Sequence, residues 1–192
     1  MIRIVLVALA LLLAGCSAPD TPSAADVETP EAYETLPPIP VGMTLRIPEL
    51  GIDAPLDPLR RDAAGVLVPP PVTEPEKVGW YAEGVLPGEI GPALVAGHVS
   101  GRPEGATQSV PGVFARLHEL AAGDRVSVLR GDQELVFEVY AAASVRKDAF
   151  PREAVYSDTE SPELRIVTCT GFFDPAAHSY EENRIVFARL LT

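Results

Sequence analysis

The chain has 192 residues and a formal charge of −12, from 27 acidic against 15 basic side chains. That length holds one domain of ordinary size, and the acidic balance excludes nucleic acid as a partner and electrostatic adhesion to anionic lipid. The 2 cysteines and 3 histidines include no close ligand pair of the kind structural zinc uses.

The amino terminus, MIRIVLVALALLLAGCSA, places one basic residue, Arg3, before an apolar run from Ile4 to Leu13. The run is too short for a spanning helix of roughly 20 residues and has the shape of a secretory signal. Leu13-Ala14-Gly15-Cys16 resembles a bacterial lipobox. In lipoproteins of that kind the signal is cut before the cysteine, whose thiol carries a diacylglyceryl group. The resemblance implies a signal peptide over 1–15 and a lipidated Cys16. Each buried methylene of the acyl chains would contribute about 0.8 kcal/mol to the anchor.

Residues 16–40 are rich in proline, alanine and acidic side chains and poor in large apolar ones. Such a segment buries too little surface to offset its ordering entropy and is expected to be a disordered tether. The remaining 41–192 form the expected folded domain. Short β-type runs follow one another there: TLRIPEL, GVLVPP, ALVAGHV, RVSVLRG, ELVFEVYAAASV, ELRIVTC and RIVFARLL. Gly, Pro and Asp punctuate them at short intervals, which predicts a mostly β sandwich or barrel. One helical pattern is expected, in VPGVFARLHELAAGDRV, with Val113, Leu117 and Leu120 at helical spacing.

If Cys16 carries lipid, Cys169 has no disulfide partner in the chain. Strand alternation sends Leu164, Ile166 and Thr168 to one face and Arg165, Val167 and Cys169 to the other. The thiol is therefore out of phase with the natural core pair, at an expected strand end where Thr170-Gly171 opens a loop. That is the placement of a reactive thiol rather than an inert one. In ALVAGHVSG a second strand ends at His98, beside Gly97, which permits close approach of another backbone or a ligand. A thiolate beside an imidazole is the pairing of nucleophilic catalysis. In ENRIVFARLL, an inward Ile185 and Phe187 would turn Arg184 outward, the same sense as Cys169. Arg184 would then be a candidate oxyanion donor. Arg165 shares the Cys169 face, Asn183 competes for the same register as Arg184, and His178 in the following polar loop is an alternative base.

GH after an apolar strand, VTC ending a second and an arginine opening the last, in that order, resemble a sortase. The likeness spans about Thr44 to Leu191; VGWYAEG, PGEIGPALVAGHVSG and KDAFP are similar to class F-like sortases of actinobacteria. The resemblance implies a sortase-like eight-stranded β-barrel with one or two short helices, and a cysteine transpeptidase that needs no cofactor. Where the family has T-L-x-T-C, this chain reads Arg165-Ile166-Val167-Thr168-Cys169. That departure bears on the preferred signal rather than the nucleophile.

The implied mechanism has Cys169 attack a threonyl-type bond of a sorting-signal peptide, giving a thioacyl enzyme. His98 protonates the leaving amine, and Arg184, with a backbone N–H near Thr170, stabilises the oxyanion. The acceptor would be an amine of a cell-wall peptide or a pilin lysine, at the outer face of the membrane. Two rival readings are a cysteine hydrolase of the envelope and a catalytically degenerate sortase-like binding lipoprotein. The lipobox generates the first test. Mass spectrometry of the native protein should show loss of residues 1–15 and a lipid adduct on Cys16; an intact Met1 would refute it.

Overall fold

The structure, a computed structural model, describes residues 42–192. The expected signal peptide, Cys16 and the tether over 16–40 lie outside the described residues. The strands are β1 (Met43–Ile47), β2 (Ile52–Leu59), β3 (Val78–Tyr81), β4 (Gly91–Gly97), β5 (Ser100–Gly101), β6 (Val110–Pro111), β7 (Arg125–Arg130), β8 (Gln133–Arg146), β9 (Pro162–Asp174) and β10 (Ser179–Leu190). Eight close into a barrel in the order β1-β2-β3-β4-β9-β10-β8-β7, and β5 and β6 form a separate small ribbon. The expected eight-stranded, mostly β architecture is the observed one. Among the described residues, no helix is long and apolar enough to cross a membrane.

Alternation fills the barrel. Leu45 and Ile47 of β1, Val126 and Val128 of β7, and Leu164 and Ile166 of β9 are fully buried in one cluster. Each such side chain contributes about 1.5–3 kcal/mol relative to exposure. Trp80 joins them and donates its indole N–H to the Val85 carbonyl at 3.1 Å. Two neighbouring pairs are parallel, β2 with β3 and β4 with β9. Each therefore needs a crossover connection, and these connections build the features above the barrel wall.

Three local expectations are corrected. The run GVLVPP is no strand; it holds only an isolated bridge between Arg61 and Leu67, with Val66 and Val68 exposed. Pro69, Pro70 and Pro71 cannot donate to a ladder. The pattern near Val113 gives only a 3₁₀ turn, Leu117–Glu119, and it is Phe114, Leu117 and Leu120 that are buried. Among the described residues the one α-helix is α1 (Arg152–Tyr156). Finally, β9 does not stop at Cys169: it runs on to Asp174 and pairs with β10, with a register shift between Tyr180 and Glu182.

The outer face of β9 is also covered. Leu94, Val155 and Ile185 form a second buried cluster, joined by Val167, Phe150 and Phe187. Beside it Arg165, 3% exposed, pairs with Glu163, stacks over the Phe187 ring at 4.8 Å and donates to the Ala154 carbonyl of α1 at 3.4 Å. The Tyr140 hydroxyl donates to Glu163 at 2.8 Å. Burial first, and that hydrogen bond second, raise the Tyr140 phenol above its ordinary range. Arg165, the competitor for the oxyanion role, thus ties α1 to the sheet. Arg165→Ala would leave the Glu163 carboxylate without its cation. It should lower unfolding free energy in urea by about 3–5 kcal/mol; a loss below about 1 kcal/mol would show that the pair does not hold the fold.

Candidate active site

The parallel β4–β9 ladder ends at Ala96 opposite Val167. Immediately beyond, the buried Thr168 hydroxyl donates to the Gly97 carbonyl at 2.9 Å and carries the two strands forward together. His98 and Cys169 each lie two residues past the last pair, His98 just beyond the end of β4 and Cys169 within β9; alternation continued from Ala96 and Val167 would turn both to the same face. The register thus carries the segments that hold His98 and Cys169 to the same end of the β4–β9 ladder. Cys169 is half-buried and has no disulfide partner among the described residues.

His98 is fixed from three sides. Its Nε2 lies 2.5 Å from the Pro70 carbonyl oxygen. A carbonyl only accepts, so Nε2 carries a proton and Nδ1 is left to exchange one. Its own carbonyl accepts from the Phe114 N–H at 2.9 Å. Gly97 permits a close approach, as expected, but what approaches is the turn that follows β6: a Cβ there would meet Phe114 and Val113 at 2.8 Å. Two residues after His98, the Ser100 and Tyr180 hydroxyls are 2.8 Å apart and link this loop to the β9–β10 hairpin.

The last strand corrects the facing assigned to Arg184. Asn183, not Arg184, pairs with Cys169, while Arg184 pairs with Thr168. Cross-strand partners share a face, so Asn183 stands beside the thiol and Arg184 points with Thr168. The Arg184 Nη2 donates to the Leu120 and His118 carbonyls at 3.3 and 3.4 Å, and its Nε is buried without a partner. Ile185 and Phe187 do pack, but in the outer cluster with Val167; the inward residues are Val186 and Ala188. His178 is exposed at the hairpin tip with φ 49°. About five residues of β9 at ~3.3 Å each separate its turn from Cys169, which removes it from reach of the thiol.

A groove of about 660 Å³ opens on this face. Leu94, Val167 and Asn183 form its floor. One wall carries Arg61, Leu67 and Tyr81, and the other Lys147, Phe150, Arg152 and Tyr156. Phe150 is part of that second wall and also packs in the outer cluster of β9. Arg61 donates through its backbone N–H and its side chain to Glu83, and these bonds hold the Glu83 carboxyl below its ordinary range. Burial raises the Tyr81 phenol, with Arg61 opposing. Among the described residues no cluster of His, Cys, Asp and Glu could hold a metal ion.

Residues 45–191 match the family model for the sortase domain, and the chain belongs to the sortase family. Solved structures of similar fold include sortase D5 of Clostridium perfringens, at 18% identity over 79% of each chain with a TM-score of 0.55. Sortase C-1 of Actinomyces oris is 18% identical over 78% of this chain and 71% of that one, with a TM-score of 0.57. Sortase A of Corynebacterium diphtheriae is 20% identical over 80% of this chain and 61% of that one, with a TM-score of 0.56. Comparison with curated proteins gave no match.

The packing around His98 generates a test. A Cβ at Gly112 would run into the His98 carbonyl oxygen and crowd its Cβ at 3.1 Å. Gly112→Ala should displace the imidazole, lowering turnover by roughly tenfold or more while costing about 1–3 kcal/mol of stability. Unchanged activity would show that this turn does not position His98.

Proposed function

We propose that the protein is a membrane-tethered cysteine transpeptidase that transfers a peptide from a sorting signal to an amine at the cell surface. The observation that supports this reading is the β4–β9 register, in which Ala96 stands opposite Val167 two residues before His98 and Cys169, with a peptide-sized groove lined by Val167 and by Asn183, the cross-strand partner of Cys169. The Cys169 thiolate attacks the scissile carbonyl carbon. The tetrahedral oxyanion collapses with loss of the amine, which takes a proton from His98, and leaves a thioester. An acceptor amine then gives its proton to His98 and attacks that thioester, forming the new amide as the C–S bond breaks and releasing the Cys169 thiolate. The lipobox-like Cys16 supports a lipid anchor at the outer face of the membrane, and a cell-wall peptide or pilin lysine fits the acceptor role. The likeness of PGEIGPALVAGHVSG and KDAFP supports placement near the class F-like enzymes.

For the oxyanion, Asn183 is the better candidate than Arg184. Its amide N–H₂ is on the Cys169 face, whereas the Arg184 guanidinium is engaged with the carbonyls of the 3₁₀ turn. Single-turnover acylation followed by intact mass separates the roles. Cys169→Ala should form no adduct, and His98→Ala should slow turnover by on the order of 10² or more. Asn183→Ala should slow acylation by about 10²–10³. Arg184→Ala should act mainly on the melting temperature. Slow acylation by a fully folded Arg184→Ala variant, with Asn183→Ala near normal, would return the role to the arginine. An adduct resolved by water at the same rate with and without amine would favour the hydrolase reading.

A further inference from the structure

The groove beside Cys169 has a charge character opposite to that of the chain. Acidic side chains outnumber basic ones 27 to 15 overall, yet the groove is lined by Arg61, Lys147 and Arg152 and by no carboxylate. Arg61 is matched by Glu83 just outside it. Lys147 donates its ammonium to a neutral partner, the Ser179 hydroxyl, at 2.7 Å. Arg152 is exposed and has no ion pair among the described residues. Elsewhere Lys77, Arg116 and Arg146 each meet an acid while Arg60, Arg102 and Arg125 have no ion pair among the described residues, so what sets the groove apart is three cations gathered in one lining that holds no carboxylate. Two cations on one wall of an apolar-floored groove therefore lack counter-charges.

We propose that these cations select an acyl-donor peptide carrying a carboxylate side chain shortly before the scissile bond. This rests on the transpeptidase reading, and it names a substrate feature that reading leaves open. An apolar floor with two uncompensated cations suits a peptide with one acidic residue among apolar neighbours. A polyanion would be repelled by the net charge of the whole protein. The acidic residue belongs on the amino-terminal side because that half stays bound as the thioester, while the other half must leave before the amine enters. At about 3.3 Å per extended residue, the Lys147–Arg152 wall is reached within roughly four residues of the threonyl carbonyl. A partly solvated ion pair of this kind changes affinity only modestly and is screened by salt.

The probes are ten-residue peptides with a central threonyl bond and Glu, Gln or Lys placed in turn at each of the four positions before the threonine. Two quantities are read on the native full-length protein: kcat/KM for thioacyl formation, and binding to the Cys169→Ala variant. At one position Glu should exceed Gln by roughly three- to thirty-fold in both readouts at low salt, with Lys weakest. The preference should shrink at high salt. Arg152→Glu, an exposed change checked by thermal unfolding, should abolish or invert the Glu-to-Gln ratio. Equal binding of Glu and Gln peptides at all four positions would overturn the proposal, as would a preference that survives both Arg152→Glu and Lys147→Glu. Selective binding of Glu peptides without any thioacyl adduct would instead uphold the groove assignment and overturn the transpeptidase reading.

Discussion

The hydrogen bond from Thr168 to the Gly97 carbonyl, at the end of the parallel β4–β9 ladder, is the contact on which the site depends. The two strands lie far apart in the chain and have no hairpin to set their register. What sets it is packing: Val95 and Ile166 face the barrel interior together, and a slip of one residue would expose both. With the register fixed, the residues that follow emerge as a matched pair. The donor is a buried hydroxyl, so losing the bond would leave the Gly97 carbonyl unsatisfied as well as loosening the strands.

The outer face of β9 explains how a barrel wall becomes a binding surface. The crossover from β2 to β3 supplies one groove wall and the Pro70 carbonyl that holds His98. The connection from β8 to β9 supplies the other wall, and Arg165 clamps its short helix from beneath. A helix of one turn has little stability of its own; the buried ion pair and the stacked rings replace what its length cannot provide. Groove shape is thus coupled to a charge pair with no direct part in the chemistry.

Much of this was readable in the residues. The β-branched runs of β1, β7 and β8 and the alternation around Leu164 and Ile166 carry a plain signal, and Val167 lies on the outer face that the alternation assigns to it. The failures share a cause. β2 contains Pro55 and Pro58, and β3 is only four residues long, so neither shows a β pattern. In β10 both faces are packed, Val186 and Ala188 inward and Ile185 and Phe187 outward. Alternation tells two faces apart only when one of them meets water. Where both are covered, parity cannot say which is inside, which is why alternation turns Arg184 outward while its pairing with Thr168 turns it inward. The register, Asn183 opposite Cys169, resolves it.

The position of β10 in the barrel has a consequence for how the protein is made. It is the last strand in chain order, yet it sits between β9 and β8 rather than at a margin. Synthesised amino end first, the barrel strands up to β8 hold only an open sheet whose two edges, β4 and β8, wait for β9 and β10. The stave that brackets Cys169 arrives last, and the closing contacts span long sequence separations, which makes closure slow. Until then the thiol has neither its histidine-bearing neighbour locked in place nor a groove beside it. The nascent chain therefore carries Cys169 without its cross-strand partner Asn183 until the barrel shuts.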